Sequence, residues 1–407
     1  MKSYYKINIL NIKKRKIKSG DKSISHRLIL ICFLKSIIIE AFNILESNDL
    51  LITINLFKNL GLKIYGPINN YITISSYKKN IFYNNINFIG NSGTSIRISL
   101  SLFIENNILI GDKSLNKRTM YRVIKPLTLM GYIIQCKKNH FTPIIITKKN
   151  NFGLKYNLIN ISSQIKSCLI LSSINSFFKI YIKEKKKTRD HSERFIYSIK
   201  KKNFFFFFVP NDFSTISFII CYYILKKKNF IISVNINKLR IGLLEYLYKN
   251  NIKFFFLYKK IIKNEHFSKI FFLKSLLNNK IIFSKEISKM IDEIPVLLIL
   301  IINTKKKFKI YGLEELKYKE SNRFNLMINN LKLLGIIIIN KKNYLILKGG
   351  ILHKNIFLTY NDHRLFLSIY IIGINFIISN VENILSSFPN FFKYFNNKKN
   401  FYYVNNK

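Results

Sequence analysis

Apolar and polar positions along the 407-residue chain change period repeatedly, from the two-residue alternation of a strand to the spacing of an amphipathic helix. Residues 4–10 read as a strand. A helix is predicted over 27–38, opened by a turn at Ser23 and Ser25. A second is predicted over 48–60, with Asn48 as cap and Gly61 as stop, then a strand over 62–65. The same form, an amphipathic helix closed by glycine and followed by β-rich sequence, recurs at 119–130 before Gly131 and at 324–334 before Gly335. Apolar helices are also predicted from the serines at 162–163 through 170 and over 296–302. This pattern predicts an α/β (α+β) fold of helices packed against sheets. No repeat survives at the level of residue identity.

With 48% hydrophobic residues the chain can bury large cores, and its length suggests two or more domains. The formal net charge of +48 ordinarily points to nucleic acid. Here Lys, Asn, Ile, Phe and Tyr crowd the sequence, Trp is absent and Ala occurs only at Ala41. Those abundant residues have A/T-rich codons, and the lysines are spread along the whole chain, so the charge reads as solvated surface and no nucleic-acid partner is expected. The rare residues carry more information. Only ten arginines and seven aspartates occur, and most fall in dense polar clusters, where a bidentate fork or a short carboxylate does what Lys or Glu does poorly.

The four cysteines are isolated, with no CxxC and no histidine at metal-ligand spacing. They read as free thiols, and no metal site is expected. The basic N-terminal run lacks a continuous apolar segment, and the uncharged run 365–379 is short for a membrane span and broken by Gly373. A cytoplasmic protein without membrane contact is the expectation.

The polar clusters follow one another at intervals. The first, Gly20-Asp21-Lys22-Ser23-Ile24-Ser25-His26-Arg27, joins a glycine turn to an ammonium, hydroxyls and a guanidinium, a set suited to a phosphorylated anion. Gly90-Asn91-Ser92-Gly93-Thr94-Ser95-Ile96-Arg97 sets small residues where backbone N–H groups can face an anion. A segment ending at Arg118 leads into another helix. Ser162, Ser163 and Gln164 open a helix, and Thr188-Arg189-Asp190-His191-Ser192-Glu193-Arg194 crowds ionisable residues into a short stretch. Asp292 and Glu293 precede the apolar helix at 296–302, with an N-cap as the bland reading of Asp292. Glu320 and Arg323 are predicted on one helix face, and Asn361-Asp362-His363-Arg364 precedes a further apolar helix.

Taken together these segments resemble the EPSP synthase family, the 3-phosphoshikimate 1-carboxyvinyltransferases. The family's GxKSxSxR, GNxGTxxR, SxQ, KESDR and NDHR motifs appear in order at 20–27, 90–97, 162–164, 319–323 and 361–364. Segments 188–193 and 291–295 look most like the subgroup that carries RDHTE and IDExP. The resemblance implies a two-domain enolpyruvyl transferase fold, each domain built from repeated βαβαββ-type units around helices, with the active site in the interdomain cleft. It implies one domain over 21–210 on the shikimate 3-phosphate side and another over 1–20 and 211–407, joined by two crossings of the chain.

The implied reaction moves the enolpyruvyl group of phosphoenolpyruvate to the 5-hydroxyl of shikimate 3-phosphate and releases phosphate, by addition and then elimination, with no cofactor. By matching position, Lys22, Ser23, Arg27, Ser162, Ser163, Gln164, Arg189, Asp292 and Lys319 are assigned to shikimate 3-phosphate. Lys22, Gly93, Arg118, Gln164, Arg323 and Arg364 are assigned to phosphoenolpyruvate. Asp292 is the expected base toward the attacking hydroxyl, Glu320 the acid–base group at the methylene carbon, and Lys22 is counted with them as catalytic. His363 assists or orients, Asp49 is read as structural, and a monomer is expected.

Some positions depart from the pattern. Asn322 stands for the Asp of KESDR, Lys317 for an arginine, and Ser386 for a lysine before Ser/Thr-Phe-Pro. The segment 194–210 is short, which suggests strands lost from one repeat unit. Three other readings stay in view. The sister family that acts on a UDP-sugar is disfavoured, because no cysteine lies near Arg118. A basic nucleic-acid-binding protein rests on charge alone. A decayed enzyme that keeps the fold is compatible with the departures.

Overall fold

The computed structural model describes residues 4–7, 11–12, 17–76, 86–103, 106–150, 152–158, 162–174, 178–185, 187–199, 203–278, 281–304, 306–318, 321–341, 343–349, 356–357, 359, 362–372, 376–379, 384–385 and 387–396. By packing, the chain divides into two compact units. One comprises residues 20–209 and 261–265, the other residues 1–19, 210–260 and 266–407.

Among the described residues of the first unit the α-helices follow in order: α1 (Lys22–Lys35), α2 (Asn48–Asn59), α3 (Gly93–Ser99), α4 (Tyr121–Leu129), α5 (Ser163–Ser173) and α6 (His191–Ile199). Helix α1 begins at Lys22, earlier than the predicted 27, because the Asp21 carboxylate caps it by accepting from the Ile24 amide at 3.1 Å. It ends at Ser36, whose φ of 51° stops the helix before the strand Ile38–Phe42. The cap of α2 is Ser47, not Asn48, with its hydroxyl accepting from the Leu50 amide. Gly61 and Gly131 follow α2 and α4 with φ of 94° and 89°, the left-handed step that ends each helix.

Two sheets in this unit share one topology. Strand Ile86–Gly90 runs parallel to Asn107–Gly111, which is antiparallel to Phe141–Lys149, which is antiparallel to Tyr132–Lys137. Likewise Phe204–Phe208 runs parallel to Ile38–Phe42, followed by antiparallel Tyr71–Ser76 and Leu62–Ile68. The all-phenylalanine strand, legible in sequence only as an apolar run, therefore supplies the first strand of the first repeat from the far end of the unit. Its alternation is that of a one-sided sheet, with Phe205 and Phe207 buried and Phe204, Phe206 and Phe208 exposed. A third sheet pairs only Leu154–Leu158 with Ile180–Glu184, in parallel, among the described residues. This third repeat thus keeps its parallel strands and both helices but has no antiparallel pair among those residues. The helices lie inside: α1 packs against α2, α3 and α6, and α3 against α5.

The second unit carries α7 (Phe213–Leu225), α8 (Gly242–Lys249), α9 (Ser284–Ile287), α10 (Ile294–Ile302), α11 (Arg323–Leu333), α12 (His363–Tyr370) and α13 (Phe391–Tyr394). One sheet repeats the order seen above. Ile282 bridges in parallel to Ile310 of strand Lys307–Tyr311, which is antiparallel to Tyr344–Lys348, itself antiparallel to Ile337–Asn340. Strand Phe230–Asn235 pairs antiparallel with Glu265–Phe272, which neighbours Phe254–Ile262. Tyr4–Ile7, where a strand over 4–10 is predicted, is antiparallel to Phe376–Ser379; residues 8–10 lie outside the described residues. Every residue of α10 is buried, and it packs against α7 and α12. At about 1.5–3 kcal/mol for each buried aliphatic side chain, that helix is a main source of the unit's stability. Each unit has its own hydrophobic core.

Candidate active site

In the first unit the predicted anion-binding residues gather at helix starts. Lys22 and Ser23 occupy the first turn of α1, where Lys22 Nζ pairs with the Asp49 carboxylate on α2. Asp49 thus orients a cation assigned to both substrates. Gly20, just ahead, packs so closely that an added Cβ would lie 1.8 Å from the Asn43 carbonyl oxygen. Only glycine lets the chain enter α1 there.

Arg27, almost fully buried, is held by three neutral groups. Its Nε donates to Ser192 Oγ at 2.8 Å, Nη1 to the Ser23 carbonyl at 2.7 Å, and Nη2 to Ser167 Oγ at 2.6 Å. Burial, and secondarily the nearby Arg189, lowers the guanidinium to about 10, against the opposing pull of Asp21, Glu193 and Glu265. Arg27 and Arg189 are therefore like charges within electrostatic reach of each other, an arrangement that an incoming dianion relieves. The loop before Arg189 is stapled by Lys166, whose Nζ lies 2.7 Å from Glu193, 3.3 Å from Glu184 and 3.3 Å from the Thr188 carbonyl. Next to it, His191 Nδ1 lies 2.7 Å from Glu265 in a fully buried pair.

Ser162 is the N-cap residue of α5, and its hydroxyl makes no capping hydrogen bond. Ser163 begins the helix. Gln164, one residue on, donates from Nε2 to Thr94 Oγ1 at 3.2 Å and accepts from Arg97 Nη1 at 3.4 Å. Gly93 opens α3, and a Cβ there would stand 3.3 Å from Arg97 Nη1 and 3.5 Å from Arg118 Nη1. Arg118 Nη2 donates to Asn91 Oδ1 at 2.7 Å and Ser114 Oγ at 3.1 Å, while its buried Nε has no hydrogen-bond partner among the described residues. Gly93, Gln164 and Arg118 are thus brought around Arg97. Arg97, Asn91 and Asp49 were not assigned to substrate from sequence, although the first two lie inside the 90–97 motif.

In the second unit Asp292 stands between two guanidiniums. Its carboxylate oxygens are 3.8 Å from Arg323 Nη1 and 3.8 Å from Arg364 Nη2, ion-pair contacts longer than a hydrogen bond. Arg364 Nη1 also donates to the Asp292 carbonyl at 3.1 Å. Asp292 is not a helix cap. Glu293 is the residue before α10, and its carboxylate accepts from Ser214 Oγ instead. Arg323 is anchored by Asp362, whose Oδ2 accepts from Nε at 2.8 Å and from Ser321 Oγ at 2.9 Å. The other oxygen of Asp362 caps α12 by accepting from the amides of Arg364 and Leu365. One buried aspartate therefore fixes both arginines, a role that its rarity hinted at but its type did not specify.

Helix α11 starts at Arg323, with Asn322 accepting from the Asn325 amide at 3.2 Å as its cap. Glu320, predicted to share a helix face with Arg323, lies outside the described residues, as do Lys319, Asn361 and Ser386. Lys317 sets its ammonium 5.4 Å from the Phe324 ring centroid, and His363 is buried at the start of α12. Among the described residues no group of three or more His, Cys, Asp or Glu could hold a metal ion, and no helix is long and apolar enough to cross a membrane.

Two units of repeated α/β topology, with arginine forks, a lysine and a carboxylate set at helix starts, define the enolpyruvyl-transferase class of fold. A model of EPSP synthase (3-phosphoshikimate 1-carboxyvinyltransferase) matches residues 11–202 and 200–395, and the chain belongs to that family. It is 33% identical to the 3-phosphoshikimate 1-carboxyvinyltransferase of Clostridium tetani, over 97% of this chain and 95% of that one. It is 31% identical to the enzyme of that name from a Thermoanaerobacter species, over 92% and 95% of the two chains. The solved EPSP synthase of Acinetobacter baumannii superposes with a TM-score of 0.83 at 26% identity, over 96% of this chain and 97% of that one.

Proposed function

We propose that this chain transfers the enolpyruvyl group of phosphoenolpyruvate to the 5-hydroxyl of shikimate 3-phosphate, giving 5-enolpyruvylshikimate 3-phosphate and phosphate. The observation that carries the reading is Asp292, set between Arg323 and Arg364. A carboxylate there accepts the hydroxyl proton, while guanidiniums beside it bind the phosphate and carboxylate of phosphoenolpyruvate.

The chemistry divides between the two sets of residues. Arg27, Ser23, Ser162, Ser163, Gln164 and Arg189 bind shikimate 3-phosphate, with hydroxyls and forks on its phosphate and ring. Lys22, Gly93 and Arg118 add to Arg323 and Arg364 in holding phosphoenolpyruvate. The substrate hydroxyl then attacks C2 of phosphoenolpyruvate as Asp292 takes its proton, and Glu320 gives a proton to the C3 methylene. The resulting tetrahedral adduct loses phosphate as a proton leaves the C3 methyl group, restoring the double bond. Lys22 offsets charge on the departing phosphate. Glu320 holds this role, and Lys319 a contact to shikimate 3-phosphate, by their place in the 319–323 motif. Holding several anionic groups in one geometry lowers the entropic part of the barrier, which is why the fixed anchors at Asp49 and Asp362 matter.

The test is phosphate release by the purified protein given phosphoenolpyruvate, with and without shikimate 3-phosphate. Release that requires both compounds supports the transferase. Absence of release, with shikimate 3-phosphate still bound in calorimetry, would indicate a protein that has kept the fold and lost turnover.

A further inference from the structure

A buried set of hydrogen bonds, unused by the roles above, runs from Asp49 to the turn before Gly93. Thr53 of α2, fully buried, is its centre. Thr53 Oγ1 lies 2.9 Å from His26 Nδ1 on α1 and 2.6 Å from Ser95 Oγ on α3, and it donates to the Asp49 carbonyl at 3.1 Å. Ser95 Oγ also meets Ser92 Oγ at 2.5 Å, and Ser92 Oγ accepts from the Ser95 amide at 3.2 Å.

The proton directions follow from counting. A hydroxyl has one proton and two acceptor sites, and a carbonyl only accepts. Thr53 gives its proton to the Asp49 carbonyl, so Ser95 and His26 must donate to Thr53. Ser95 then has no proton left for Ser92, and Ser92 donates to Ser95. This one set of directions gives each of these contacts one proton. It makes His26 the neutral Nδ1–H tautomer and leaves Nε2, which has no hydrogen-bond partner among the described residues, as a lone pair and not as a buried donor. Burial first, with Lys22 and Arg27 adding to it, holds His26 well below its ordinary pKa, as a neutral ring requires.

We propose that Thr53 is a positioning residue for the transfer: with His26 and Ser95, its hydroxyl holds Asp49, and through it Lys22, in register with the turn that presents Gly93. The three helices that bear Lys22, Asp49 and Gly93 meet at this one hydroxyl. An apolar side chain of the same shape would fill the site but leave the buried Ser95 hydroxyl and His26 Nδ1–H without their acceptor, which costs stability, so activity and stability are read side by side. The inference rests on the transferase reading.

The experiment compares the wild type with Thr53→Val and Thr53→Ser. In Thr53→Val, kcat/KM for phosphoenolpyruvate should fall roughly tenfold or more, as small misplacements of a catalytic group do, while urea unfolding remains cooperative. Thr53→Ser, which keeps the hydroxyl, should recover activity to within about twofold of the wild type. Near-normal kcat/KM in Thr53→Val would overturn the proposal, and so would a loss in Thr53→Ser equal to that in Thr53→Val. If Thr53→Val does not fold, Ser95→Ala makes the same comparison. Nitrogen NMR of the wild-type protein tests the proton directions without turnover, and a His26 protonated at Nε2 would overturn them. Failure of the wild type to release phosphate would sink the transferase reading while leaving the tautomer assignment to stand or fall by itself.

Discussion

Asp292 and His26 show how one side chain's surroundings set its task. Asp292 is largely buried, but its contacts to the two arginines, at 3.8 Å, are longer than hydrogen bonds, and Asn keeps its shape while removing the carboxylate. Asp292→Asn should lower kcat by about 100- to 10,000-fold, the usual range for a removed acid–base group, with the urea midpoint nearly unchanged; steady-state phosphate release and equilibrium unfolding read the two effects. His26 acts on stability instead. Its folded pKa lies well below its unfolded value of about 6.5, so the unfolded chain binds the extra proton as pH falls. Stability from this group is full above that unfolded value and is lost as pH drops beneath it, with a slope of up to about 1.4 kcal/mol per pH unit. Urea unfolding between pH 7.5 and 5.5 should show this loss, and His26→Gln should flatten it. An unchanged slope in that variant would remove His26 as the cause.

At the scale of elements, the helix starts decide what the site looks like. Asn322 replaces the aspartate of the family motif but still caps α11 through Oδ1, directly ahead of Arg323. Asn322→Ala should therefore cost about 1 kcal/mol of stability and weaken phosphoenolpyruvate binding through Arg323. Asn322→Asp should leave both close to normal, as thermal melts and KM would show. The helices and their glycine stops were legible in sequence because periodicity and punctuation are local: Gly61, Gly131 and Gly335 all end helices with positive φ. Long-range pairing was not. Nothing local says that Phe204–Phe208 runs parallel to Ile38–Phe42, or that the tip 261–265 packs with residues 20–209. The start of α1 was misplaced because the opening turn was read at Ser23 and Ser25, whereas Asp21 is the cap and both serines lie in the helix. The motifs named most of the charged groups, but not their anchors. Asp362 and Thr53 act through partners far away in sequence, and Thr53 is a residue type found in any core.

For the whole molecule the large question is the net charge of +48. In the first unit the assigned cations include Arg27 and Arg118, whose hydrogen bonds go to hydroxyls, an amide and a carbonyl, while Lys22 pairs with Asp49. In the second, Asp292 and Asp362 attend Arg323 and Arg364. The site's pull on anions is thus local and structured, whereas most lysines repel one another across the surface. Salt acts on these two fields in opposite senses. Screening relieves the self-repulsion of the folded chain, so the melting temperature should rise between about 0.05 and 0.5 M sodium chloride, where the Debye length shrinks from above 10 Å to a few Å. The same screening weakens capture of anionic substrates, so KM for phosphoenolpyruvate should rise over that range with kcat changed less. A parallel filter-binding titration with a random-sequence RNA separates charge that serves the site from charge that serves a polyanion. If RNA binds tightly at physiological salt with a steep salt slope, the lysines do form a nucleic-acid surface. If it binds weakly while melting temperature and KM both rise, the excess charge is a burden on the fold that the enzyme tolerates, and the ten arginines are where its electrostatics were kept.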